Sequence, residues 1–157
     1  MQPDISKLVL GATVVGGDEL DTRLLREMSE EAKSFLLRFK WCTHVRRCFF
    51  GDGFGGIIAA FLVEIIPANS QVDDWLWAVV GDVPPAYLVT DEIPDAATAL
   101  KTYVQLMRAW VDAIEKGLPT NKLIPVNLPP TSEAAASLKT RLDTIEQLGL
   151  YEVEQNR

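Results

Sequence analysis

Cysteine, histidine and long apolar runs are all scarce in this 157-residue chain. It has two cysteines, Cys42 and Cys48, and one histidine, His44. Two thiols cannot build a disulfide framework, so a reducing compartment is expected. The first twenty residues carry Asp4, Lys7, Asp18 and Glu19 and lack the basic-then-apolar order of a signal peptide. The longest apolar stretch, residues 54–68, is interrupted by Glu64 and Pro67 and is too short for a membrane-crossing helix. No repeat, low-complexity tract or linker divides the chain, and one domain over residues 1–157 is expected. A cytoplasmic location follows as the expectation.

Positive charge is scarce in one place above all. Residues 51–95 hold eight acids (Asp52, Glu64, Asp73, Asp74, Asp82, Asp91, Glu92 and Asp95) and neither Lys nor Arg. Almost the whole net charge of −7 belongs to that stretch. This balance opposes a nucleic-acid surface, which needs clustered Lys and Arg. Most of these acids fall in expected turns, where Asp is a natural turn and capping residue. They also suit an acidic rim for a basic protein partner, made by Asp73, Asp74, Asp82, Asp91 and Glu92. Asp73, Asp74 and Asp82 lack any calcium-loop signature, so no metal site is expected. No cofactor is expected either.

What is present is a clear alternation of patterns. Leu24, Leu25, Met28, Ala32, Phe35, Leu36 and Phe39 recur at three- and four-residue spacing, which predicts a helix over residues 21–40 with Asp18 or Asp21 as its cap. Strands are expected at 42–50, 57–66, 74–80 and 87–90, with Gly51–Gly56 as the first hairpin connection. Pro94-Asp95 opens a second helix over 95–117, closed by Gly117 and Pro119. The proline-bearing stretch 118–130 follows, and then a third helix over 132–148. The expected fold is α+β: a four-stranded antiparallel meander with one helix before it and two after it. The second strand is apolar at odd and even positions alike, so both its faces need cover. Helices on both faces would supply it. So would a homodimer packed sheet against sheet, with Trp75 or Trp77 at its interface.

Three groups of residues invite chemistry. Cys42, His44, Arg46 and Cys48 alternate and would share one face of a regular strand, but six residues of strand span about 20 Å, too far for one metal or a disulfide. His44 and Glu64 become neighbours if Phe50 pairs near residues 56–58, and a carboxylate beside a lone imidazole suits a general-base pair in a small hydrolase. Plain sheet packing would instead put Glu64 near Arg46 or Arg47. Gly51–Gly56 has a phosphate cradle's composition but no Gly-Lys-Ser/Thr, and a strand follows it, so a hairpin turn is expected.

The most distinctive run is Trp75-Leu76-Trp77-Ala78-Val79-Val80-Gly81-Asp82-Val83-Pro84-Pro85-Ala86-Tyr87-Leu88. With Asp91, Pro94 and Ile124-Pro125-Val126-Asn127, it resembles small bacterial proteins of uncharacterised function that carry Trp-x-Val-Val-Gly-Asp-x-Pro-x-Ala-Tyr-Leu. That resemblance implies no activity and no catalytic residue. The leading expectation is a non-enzymatic cytoplasmic interaction protein of the toxin-neutralising, immunity kind, with the hydrolase and the homodimeric regulatory module as alternatives.

Overall fold

The computed structural model describes residues 3–151. Three α-helices and a five-stranded antiparallel sheet of order β1-β2-β3-β4-β5 make an α+β fold. The strands are β1 (Val9–Leu10), β2 (Cys42–Phe54), β3 (Ile58–Pro67), β4 (Trp75–Gly81) and β5 (Ala86–Val89). The helices are α1 (Glu19–Leu37), α2 (Ala96–Lys116) and α3 (Ser132–Gln147). Residues 1–2 and 152–157 of the expected single domain lie outside the described residues.

Local chemistry sets the helix ends. The Asp18 carboxylate accepts from Asp21 N, that of Asp95 from Thr98 N, and the Thr131 hydroxyl from Ala134 N. Each thereby satisfies a backbone donor that the first turn leaves free. Gly117 closes α2 in the left-handed conformation, at φ 68°.

The meander differs from the expected one in two ways. A fifth strand, β1, pairs through Val9↔Phe50 and Leu10↔Phe49. At two exposed residues it carries no alternating pattern for sequence reasoning to detect. The β2–β3 connection is also shorter than expected, because β2 continues through Gly51, Asp52 and Gly53 to Phe54. Gly51 belongs in the ladder for a packing reason: a Cβ there would meet Ala96 Cβ at 2.7 Å and the Ala60 carbonyl at 2.9 Å. The glycine lets α2 approach the sheet.

The core has two layers, one on each face of the sheet. On one face, Ala59, Phe61, Val63 and Ile65 of β3 join Leu25, Met28, Ala32 and Leu36 of α1. On the other, Ile58, Ala60 and Leu62 join Leu100, Tyr103, Met107, Leu138 and Leu142 of α2 and α3. Two polar groups in the second layer are satisfied by backbone carbonyls: Trp77 Nε1–H donates to Ile93 O at 3.0 Å, and the Tyr103 hydroxyl donates to Pro84 O. Burial pushes the Tyr103 hydroxyl's pKa upward and keeps it a donor.

Trp75 and Trp77 are 3% and 2% exposed beneath the α2–α3 layer. Among the described residues neither broad face of the sheet is left open, which was the premise of the sheet-against-sheet homodimer. The cover that β3 requires comes from within the chain.

Gly81 ends β4 at φ 144°, and a Cβ there would lie 2.3 Å from the Ile57 carbonyl oxygen. Gly117 also has positive φ, with nothing within 4 Å of its missing Cβ. Gly81→Ala should therefore cost roughly 2–3 kcal/mol, against about 1 kcal/mol for Gly117→Ala. Urea denaturation of the two variants measures the difference.

Candidate interaction surface

The register of β2 against β3 decides the fate of the His44–Glu64 pair. Phe50 lies opposite Phe61, His44 opposite Ile66, and Arg47 opposite Glu64. Arg47 Nε donates to Glu64 Oε1 at 2.7 Å, and its guanidinium lies 5.5 Å and 5.4 Å from the ring centroids of Phe49 and Trp75. The Glu64 carboxylate, with its side chain 17% exposed, is thus committed to a cation. His44 is exposed, and its Nδ1 lies 3.4 Å from the hydroxyl of its neighbour Thr43. Among the described residues no hydrogen bond joins His44 to Glu64, so the expected general-base pair does not form. The cause is the displaced hairpin turn, which shifts the partner of every β2 residue.

Irregularities in β2 also separate the residues expected on one face. The register slips between Cys42 and His44 and again between Val45 and Arg47, leaving Thr43 and Arg46 without partners. Two single-residue bulges cancel in parity. Cys42 and Cys48 both enter the α1-side core, while His44, opposite Ile66, sits on the other face. Both cysteines are free and buried. Burial pushes the Cys48 thiol up to about 11, with Ser29 Oγ 3.5 Å from its sulfur, and raises that of Cys42 as well. Neither has the lowered pKa of a reactive thiolate.

The glycine-rich turn binds an anion after all, but an internal one. Asp21 Oδ1 accepts from Gly55 N at 2.6 Å, and Oδ2 accepts from Gly17 N at 2.8 Å. The start of α1 therefore meets the β2–β3 turn through a carboxylate of the chain itself. Asp21 is a tether rather than the helix cap, and the position an external phosphate would want is filled.

The five acids divide between opposite ends of the sheet. Leu76 pairs with Val89, so Asp73 and Asp74, before β4, lie at the same end as Asp91 and Glu92, after β5. All four are exposed. Asp82 lies at the other end, beyond Gly81, where its carboxylate is 3.7 Å from Arg141 on α3. It drops out of the expected rim. Among the described residues no group of three or more His, Cys, Asp or Glu could hold a metal ion.

Beside the four acids lies an aromatic cluster that sequence reasoning missed. Phe39 stacks on Trp41 with ring centroids 4.8 Å apart, and the Tyr87 ring lies 5.2 Å from Phe39 and 4.9 Å from Trp41. Phe35 completes it, at 5.3 Å from Phe39. Tyr87 and Val89 on the edge strand are 37% and 47% exposed. Alternation in β5 was the available signal: Leu88 enters the α2–α3 core, which turns Tyr87 and Val89 toward the face of α1.

Comparison with family models, with curated proteins and with solved structures gave no match. No helix is long and apolar enough to cross a membrane among the described residues.

The Arg47–Glu64 ion pair and the exposed His44 should respond differently to truncation. Arg47→Ala leaves the mostly buried Glu64 carboxylate without its cation and should lower the unfolding midpoint. His44→Ala removes an exposed ring and should change stability by less than about 0.5 kcal/mol. Equilibrium unfolding of the two variants checks the contrast.

Proposed function

We propose that this chain is a non-enzymatic cytoplasmic interaction module of the toxin-neutralising kind, and that it binds a basic protein partner through the acidic end of its sheet. The observation that carries this reading is the gathering of Asp73, Asp74, Asp91 and Glu92, all exposed, at the sheet end that adjoins exposed Tyr87 and Val89. Charge of one sign beside partly exposed apolar and aromatic side chains is how a partner surface combines steering with burial. The net charge of −7 adds a long-range attraction for a basic protein.

Turn chemistry alone does not account for Glu92. It is the one non-glycine residue with positive φ among the described residues, at 64°. A residue with a Cβ there carries backbone strain that glycine would relieve and asparagine would lessen. A charged side chain at a strained, exposed position favours a role outside the fold.

The direct test is a search of the neighbouring genes for a secreted toxin, whose absence would contradict the toxin-neutralising part of the reading, followed by calorimetry of its association with this chain across a salt series. Binding should weaken as ionic strength rises, and Asp73→Lys with Asp74→Lys should slow association while leaving the unfolding midpoint nearly unchanged. Unchanged association after that reversal would contradict the reading. Glu92→Gly should raise stability by roughly 1 kcal/mol and weaken partner binding, a split that thermal unfolding and the same calorimetry read separately.

A further inference from the structure

A sheet of five strands is wider than one helix, and α1 is the one α-helix on its face among the described residues. The uncovered margin lies along β5. Tyr87 and Val89, opposite Ala78 and Leu76, stand on the α1 face, where Tyr87 meets the end of α1 at Phe35 and both residues stay partly exposed. Two hollows meet at Tyr87. The smaller, of about 250 Å3, is lined by Trp41, Val72, Asp73, Leu76, Tyr87 and Val89. The larger, of about 500 Å3, lies between Phe35 and Phe39 of the α1 end and Ile124, Pro125 and Val126 of the segment joining α2 to α3. Arg38 and Asn127 stand at the walls of the larger one.

The distinctive sequence run and the later Ile124–Asn127 segment lie some forty residues apart, yet Pro85, Ala86 and Tyr87 of the first and all four residues of the second line the same hollow.

We propose that these hollows seat an extended segment of the basic partner, with an arginine side chain in the smaller hollow and a bulky apolar side chain in the larger. The inference rests on the reading of an acidic end that binds a basic protein. Charge sets the direction. Asp73 lines the smaller hollow, with Asp74, Asp91 and Glu92 at the same sheet end, whereas Arg38 would repel a cation from the larger. A guanidinium is the fitting cation because its planar face stacks on Trp and Tyr rings while its edge reaches a carboxylate. The larger hollow offers Phe35, Phe39 and Val126 to an aliphatic side chain, and the Asn127 amide to the passing peptide backbone.

Three probes test this on the full-length, 15N-labelled chain: the peptide Ac-Leu-Arg-Leu-amide, its citrulline counterpart, and Ac-Ala-Arg-Ala-amide. The arginine–leucine peptide should shift the Trp41 indole N–H and the Tyr87 and Val89 amides. Replacing arginine by neutral, isosteric citrulline should weaken binding about fivefold or more, and replacing leucine by alanine should weaken it by a similar factor. Tyr87→Ser and Asp73→Asn should each reproduce the loss, with the remaining resonances unmoved. The citrulline comparison needs no variant and so does not depend on how a variant folds. Equal binding of the citrulline peptide, or no shift at Trp41, Tyr87 and Val89, would overturn the inference. Shifts confined to residues 69–74 and 90–92 and insensitive to Tyr87→Ser would overturn it too, while leaving the acidic-end reading intact. That reading falls separately, if partner binding is indifferent to salt and to charge reversal at Asp73 and Asp74.

Discussion

The burial of β3 on both faces is the constraint from which the rest of the architecture follows. Ile58 through Val63, together with Ile65, are at most 1% exposed, so each face of the strand requires its own layer. Apolar area removed from water is the main favourable term in folding, and a doubly covered central strand collects it twice. The amphipathic stripes of α1, α2 and α3 are spent in meeting that demand. Both broad faces of the sheet are thereby occupied, and what remains for recognition is the ends of the sheet and its margins. The acidic end and the β5 margin meet at Tyr87 and Asp73.

The other margin is built to stay unpaired. β1 covers β2 only at Phe49 and Phe50, leaving the earlier part of β2 at the sheet edge. That part carries two of the three irregularities of β2, with Thr43, His44 and Arg46 exposed along it. Bulges and charged side chains both deter strand addition by another chain. Such an edge makes a poor docking site and a sound boundary. The contrast with β5, flanked by aromatic hollows and carrying exposed Tyr87 and Val89, is what singles out one margin.

Much of this was legible in the residues, and the parts that were not have identifiable causes. Asp95 and Gly117 mark the ends of α2 to within a residue because each does a local job, a side-chain cap and a left-handed C-terminus. The double-sided apolar pattern of β3 foretold cover on both faces. The hairpin turn was misplaced because Gly51–Gly56 offers several glycines where a chain can reverse, and only the approach of Ala96 and Trp77 shows that Gly51 belongs to the strand. That displacement carried Glu64 from His44 to Arg47. The aromatic cluster was hidden for a different reason. Phe35 falls on the expected helix face, whereas Phe39, expected on the same face, lies just past the end of α1 at Leu37; nothing local announces that Tyr87, about fifty residues later, packs against both. Tertiary contact of that range is set by strand order rather than by any motif.

Hydrogen exchange of the chain with and without its basic partner tests the central claim most directly. If recognition belongs to the acidic end, added protection should fall on residues 69–74 and 86–92, with the β2–β3 turn and α3 unchanged. Protection concentrated at the β2–β3 turn or around Asp82 and Arg141 would contradict it, because both lie at the opposite end of the sheet from Asp73, Asp74, Asp91 and Glu92.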